Sequence, residues 1–450
     1  MKDITKGNIS KNLLFFAIPV IISGVLGQAY ITVDKIMVGQ ILGEAGVAAL
    51  GSTGTFITLM KSIIWGLGTG VSIYIAYLST TGDRKRTVNA IKVNLLIVAA
   101  AALLVSSLAI SLYIPIFKML AIGSNIWHEA KSYYIIYMCG FVFFTFGNAA
   151  TYIFNAIGKP SFPMKLSIIS SLFNIGLNYI FLYVMKLGVF GAALGSVIAA
   201  LIVTVLYIVQ FSREFDELGC KGERIIFDKG DVKTSLHQAL PCMLQQFVMY
   251  ISGAAVQPAV NMLGVSAIAA YSVCSEIYSI NATIFQNSSR GLSPFCAQCY
   301  GKGEFQLVKR GVRVSTRQAV LLSVPLMTLF LVFRNNIADL FLADATEESI
   351  DYVVTYILLC VPFILCQIIN NLFHNFYRGV MMPQIATLTT AIYSVIRIIV
   401  TYALVWKLGM MGVFLGFIIP WAVESALSVL IYLSGKWKNA AYKDACGHCT

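Results

Sequence analysis

Seven ionisable side chains sit inside otherwise apolar stretches of this chain: Asp34, Lys35, Lys61, Glu276, Arg290, Arg397 and Glu424. A charge at bilayer depth costs at least about 2.5 kcal/mol, so each is a candidate for binding an ion or a substrate unless a neighbour neutralises it. Asn174 and Asn178 are four residues apart in another apolar stretch and so share a helix face. Their amides need partners, which interhelical hydrogen bonds or a bound cation would supply. Asp34 reads either as a buried acid that gains and loses a cation or as an interfacial pair with Lys35. Glu276 and Arg290 are about 21 Å apart along a helix and cannot pair directly. Charge pairing with Arg397 or Glu424 is one outcome for them, and contact between Glu276 and a cationic substrate is the other.

Other chemistry is poorly served. Four scattered His and no HExxH make a membrane-embedded hydrolase remote. No GxxxxGK[ST] loop is present to cradle ATP phosphates. Most of the ten Cys lie in apolar stretches, where a thiol acts as a small hydrophobe. Cys446-Gly447-His448-Cys449 has the spacing of a redox pair but lacks the βαβ context which that chemistry uses, so it reads as a tail.

The elements that position these residues follow from composition. Of 450 residues, 58% are hydrophobic and 12% charged, and mean hydropathy is +0.80. Soluble domains carry roughly twice that charge, so the solvent here is mostly lipid. At about 20 apolar residues per span, twelve helices are expected near 12–39, 46–79, 88–114, 131–156, 162–185, 188–211, 235–262, 266–300, 311–333, 350–377, 384–406 and 410–435. With the N-terminus inside, 23 Lys and Arg fall in inner segments, against only Lys118, Lys131, Lys186, Arg334 and Lys407 outside. That asymmetry places both termini in the cytoplasm of an inner-membrane protein. It also accounts for the net charge of +12 without nucleic acid.

The halves repeat at a separation of 221 to 223 residues. Pro19 answers Pro241, Gly82 answers Gly303, and Leu187-Gly188, Gly191, Leu194 and Gly195 answer Leu408-Gly409, Gly412, Leu415 and Gly416. Duplication of an even number of spans gives two lobes related by a pseudo-two-fold axis along the membrane normal, an arrangement suited to alternating access. The expected organisation is an N-terminal six-helix lobe (1–211), a cytoplasmic linker (212–234), a C-terminal six-helix lobe (235–435) and a tail (436–450). Each lobe carries a GxxxG on its sixth helix, which lets backbones approach closely. Pro19 removes a helical hydrogen bond and either hinges the first helix or kinks it statically.

Several stretches resemble the multidrug and toxic compound extrusion (MATE) family: Tyr30-Ile-Thr-Val-Asp34-Lys-Ile-Met-Val-Gly39-Gln-Ile-Leu-Gly43, Ala48-Ala49-Leu50-Gly51, Asn155-Ala-Ile-Gly158-Lys-Pro160, Gly188-Val-Phe-Gly191-Ala-Ala-Leu-Gly195, Gln245-Gln246 after Pro241, and Phe295-Cys-Ala-Gln298-Cys-Tyr-Gly301-Lys-Gly303. The resemblance covers nearly the whole chain and is strongest to the bacterial branch named after DNA-damage-inducible protein F. It implies a V-shaped, all-α, twelve-helix antiporter, monomeric and without cofactor. It also implies a cation site of Asp34, Asn174, Asn178 and Ser196. Asn178 stands where the family often has a second acid, which favours coupling to H+ over Na+. The cargo implied is small organic cations, met in a cleft to which Tyr30, Gln245, Gln246, Glu276, Arg290 and Arg397 are candidate contributors. The alternative on the same fold is export of lipid-linked or anionic molecules, since Lys35, Lys61, Arg290 and Arg397 outnumber the membrane acids.

Overall fold

The computed structural model describes residues 7–119, 122, 126–220, 222–341 and 346–438, with side chains for all of these except 29–32, 34–36, 39, 43–49, 55, 119 and 265. Asp34, Tyr30 and Lys35 are thus known here by backbone alone, and the Cys446 to Cys449 tail lies outside the described residues.

In chain order the helices of the first half are α1 (Ile9–Leu78), α2 (Arg84–Ser111), α3 (Tyr113–Met119), α4 (Trp127–Cys139), α5 (Phe141–Ala156), α6 (Ser161–Tyr179, continued by a π turn at Ile180–Val184) and α7 (Gly188–Glu217). The second half has α8 (Lys229–Asn261), α9 (Val265–Ser289), α10 (Leu292–Gly301), α11 (Phe305–Val332), α12 (Arg334–Phe341), α13 (Glu347–Cys360), α14 (Ile364–Gly379), α15 (Pro383–Leu408) and α16 (Met410–Leu433). Among the described residues, nine segments are long and apolar enough to cross a membrane alone, and two bent pairs bring the number to 11. With the more polar α9, these make the twelve elements expected.

The boundaries differ from expectation where local chemistry was misjudged. A turn was expected between 39 and 46, but α1 continues through it for 70 residues. Gly43 and Gly46 weaken a helix by about 1 kcal/mol each, which does not suffice here to end it. The fourth and tenth spans are each two helices, bent by 48° at Gly140 and by 56° across 361–363. Gly140 packs so closely on Val197 of α7 that a Cβ would strike it. Pro362 lacks the N–H that would continue α13. These unlike residues lie 222 positions apart and bend equivalent helices. The expected 266–300 span is likewise interrupted, at Arg290-Gly291, so Arg290 caps α9 instead of sharing its helix with Glu276.

Duplication is visible in the backbone. The 28-residue helices α2 and α11 start and end 221 positions apart. Left-handed turns recur in register at Gly82 and Gly303, and at Gly188 and Gly409. A third pair is Gly158 (φ 80°) and Met381 (φ 62°), where a side chain occupies a conformation that usually selects glycine.

The chain divides into two compact units. One comprises Ile22–Met243; the other comprises Leu244 onward together with the start of α1 through Ile21. Each crossover thus falls two residues beyond a proline, Pro19 in α1 and Pro241 in α8. In the first unit, Ile57 and Ile64 pack with Ala102, Phe117, Tyr134 and Phe141. Gly66 and Gly70, four residues apart on α1, seat that helix directly on the α8 backbone at Met243 and Ala239. The stretch between α7 and α8 and the first turn of α8 are strapped to α1 and α2. Asn89 exchanges two hydrogen bonds with the Ile226 backbone, Arg86 pairs with Asp231 at 2.7 Å, and Tyr74 donates to Asp231 at 2.6 Å. In the second unit, one core gathers Tyr356, Phe414 and Trp421, and another gathers Leu13, Phe295, Phe376 and Trp437.

Candidate functional site

In the first unit, Asn174 and Asn178 lie on the buried face of α6, against α7. The Asn174 Nδ2 donates to Ser196 Oγ at 3.1 Å, and the Asn178 Nδ2 donates to Asn174 Oδ1 at 3.1 Å. Three of the four residues expected to form a cation site are therefore one hydrogen-bonded cluster. The backbone makes this possible: Asn178 occupies the space that a Cβ on Gly195 would need, and Gly191 lies against the Phe181 carbonyl. The π turn at Ile180–Val184 follows directly and widens the helix beyond the cluster. Asp34, the fourth expected member, lies on α1 with its side chain outside the described set.

The same helix crossing recurs in the second unit with different side chains. Thr401 fills the space over Gly416 as Asn178 does over Gly195, and Gly412 lies against the Leu404 carbonyl as Gly191 does against Phe181. The position of Asn174 is taken by Arg397 and that of Ser196 by Phe417. Where the first unit has an amide-to-hydroxyl hydrogen bond, the second has a guanidinium over an aromatic ring, 4.7 Å from its centroid. Arg397 also donates to the Tyr393 hydroxyl at 3.2 Å.

Nearby is a polar chain of which the sequence offered two members, Glu424 and Gln245, without joining them. The Glu424 Oε1 lies 3.1 Å from His374 Nε2 and accepts from the Thr390 hydroxyl at 3.4 Å. Thr390 in turn accepts from Gln245 Nε2 at 2.9 Å, and the Gln245 Oε1 accepts from Arg378. Gln245, a cleft candidate, is thus a buried link in this chain, while Gln246, Glu276 and Arg290 are half-buried. Neither Arg397 nor Glu424 forms an ion pair with Glu276 or Arg290 among the described residues, because His374 on α14 already engages Glu424. The available signal for His374 was its place in an amphipathic stretch with Asn370, Asn371 and Asn375. Pro19 is buried within α1. Phe154 is fully buried against Phe162, Tyr207 and Phe211 and belongs to the core of the first unit.

Comparison with known proteins agrees with this duplicated architecture. "Probable multidrug resistance protein YoeA" of Bacillus subtilis is 26% identical over 367 residues, covering 79% of this chain and 78% of that protein. "Multidrug export protein MepA" of Staphylococcus haemolyticus is 22% identical over 430 residues, covering 95% and 94%. A solved structure of a multidrug resistance MATE family transporter in its outward-facing conformation superposes with a TM-score of 0.91 at 18% identity, over 97% of this chain and 98% of that one. The MatE family model matches twice, over residues 19–180 and 241–403, once per half. This multi-pass membrane transporter belongs to the MatE family.

Proposed function

We propose that the chain is a cation-coupled secondary antiporter that exports small amphiphilic molecules by alternating access, with H+ as the coupling ion in preference to Na+. The observation that carries this reading is the buried cluster of Asn174, Asn178 and Ser196, which is neutral throughout. A site whose only carboxylate is Asp34 offers sodium one negative charge, whereas a desolvated acid serves protons without further charged ligands. Electroneutral exchange of one proton for one monovalent organic cation draws about 1.4 kcal/mol from each tenfold proton gradient. The charge asymmetry between inner and outer segments supports insertion in the inner membrane with both termini cytoplasmic. In this reading the helices hinge near Pro19 and Pro241, where α1 and α8 pass from one compact unit to the other.

The test is dye movement in everted vesicles under an imposed pH or sodium gradient, comparing the wild type with Asp34→Asn. The proposal expects a pH gradient to suffice and the variant to lose gradient-driven movement. Full activity in Asp34→Asn overturns the coupling assignment, and a strict sodium requirement overturns the choice of ion. Export of anionic cargo on the same fold is a second reading, favoured by one observation: Arg397 is buried without a carboxylate partner among the described residues.

A further inference from the structure

Arg397 stands near the middle of α15 and retains 8% of its surface. A guanidinium carries five N–H donors. Among the described residues, one of them meets the Tyr393 hydroxyl, the face of Phe417 receives the cation, and no carboxylate is paired with it. Glu424, the buried acid of the same unit, is committed to His374 and Thr390. One phenol and one ring face do not replace the water that a guanidinium gives up on burial.

The duplicate position shows what a satisfied residue looks like there. Asn174 donates to Ser196 and accepts from Asn178, so its amide is engaged at both ends. In the second unit Ser196 has become Phe417 and Asn178 has become Thr401, and neither is bonded to the residue between them. The helix crossing is kept, yet the internal partners of this one side chain are gone. The surroundings are aromatic: beyond Tyr393 and Phe417, which touch the guanidinium, Tyr271 stacks on Phe417 and Tyr278 on Trp421. Flat apolar walls beside a buried cation suit a ligand with an aromatic body and an oxyanion.

We propose that Arg397 binds the oxyanion of an aromatic carboxylate or phosphate, so that the second unit selects cargo bearing a negative group. This rests on the second, anionic-cargo transport reading for its purpose, but it can be tested without transport. The probes are 2-naphthoate, its neutral amide 2-naphthamide, and 2-naphthylmethylammonium, which share one ring system and differ in charge. Isothermal titration of the purified full-length protein, with no gradient, should give at least about tenfold tighter binding of the carboxylate than of the amide. Arg397→Gln should abolish that ratio while leaving the amide affinity unchanged. Equal affinities in the wild type, a preference that survives Arg397→Gln, or tightest binding of the ammonium compound each overturn the proposal. If Arg397→Gln does not yield folded protein, Trp421→Phe serves instead. Loss of naphthoate-dependent tryptophan quenching in that variant supports the assignment, and unchanged quenching overturns it. Continued gradient-driven dye movement alongside absent naphthoate binding would remove this proposal and leave the antiport reading standing.

Discussion

Replacing Gly195 with Ala tests whether the α6–α7 crossing organises the polar cluster. The new methyl group lands on the Asn178 side-chain oxygen. Either the helices part or the amide rotates away. Rotation forfeits the 3.1 Å bond to Asn174 and loosens Asn174 from Ser196. Each net hydrogen bond is worth about 0.5–1.5 kcal/mol, and overpacking a fitted crossing costs about 1–3 kcal/mol. The variant should therefore lose roughly 2–4 kcal/mol. At about 2–4 °C per kcal/mol for a unit of this size, the melting point should fall by roughly 4–16 °C. The assay is scanning fluorimetry of purified protein. Gly176→Ala is the control, since nothing lies within 4 Å of the Cβ position there and only the higher helix propensity of Ala acts. The double variant Gly195→Ala/Asn178→Ala removes the collision and should recover at least about 1 kcal/mol relative to Gly195→Ala. If Gly195→Ala melts with the wild type, or the double variant is no more stable than the single, the amide is not held by that glycine.

Two further outcomes follow from the same reasoning. Lys159 Nζ contacts both oxygens of Glu214 at 2.6 Å, and Gln210 donates to the same carboxylate at 3.1 Å. Single Ala variants of the pair should each destabilise more than half as much as the double, giving a coupling of about 1–3 kcal/mol in a melting cycle; strict additivity would mean that the pair contributes nothing. Met381→Gly should be neutral or stabilising, because relief of about 1–2 kcal/mol of left-handed strain offsets the added chain entropy. Gly158→Met should be destabilising in the same assay, and the opposite order would refute the turn assignment.

Long apolar runs, the in-register glycines and the Asn174/Asn178 spacing were legible because periodicity and composition report burial directly. The single α1 was not: a pair of glycines looks like a turn until one asks what would end the helix. The His374 to Gln245 chain was hidden for another reason. Its members lie on α8, α14, α15 and α16, up to 179 positions apart, and no local pattern encodes that juxtaposition. Reading Arg397 or Glu424 as charge partners for Glu276 and Arg290 failed on the same ground, since opposite charges predict attraction and say nothing about which helix faces meet.

What the duplication kept and what it changed are of different kinds. The halves share features of the main chain: bends at Gly140 and Pro362, left-handed turns before the sixth helices, glycines under Asn178 and Thr401, and crossovers just past Pro19 and Pro241. They differ in the side chains set on that frame. Asn174, Asn178 and Ser196 make a neutral hydrogen-bonded cluster, whereas Arg397, Thr401 and Phe417 leave a cation with donors to spare. Motions of a packed helical frame depend on where backbones touch and where they can bend, so both halves inherit the same mechanics. Affinity for an ion or a cargo depends on a few side chains, and these can diverge at one helix crossing without disturbing the other. The proposed coupling of an ion to an unrelated molecule needs that asymmetry, because two identical lobes would compete for the same ligand instead of exchanging two different ones.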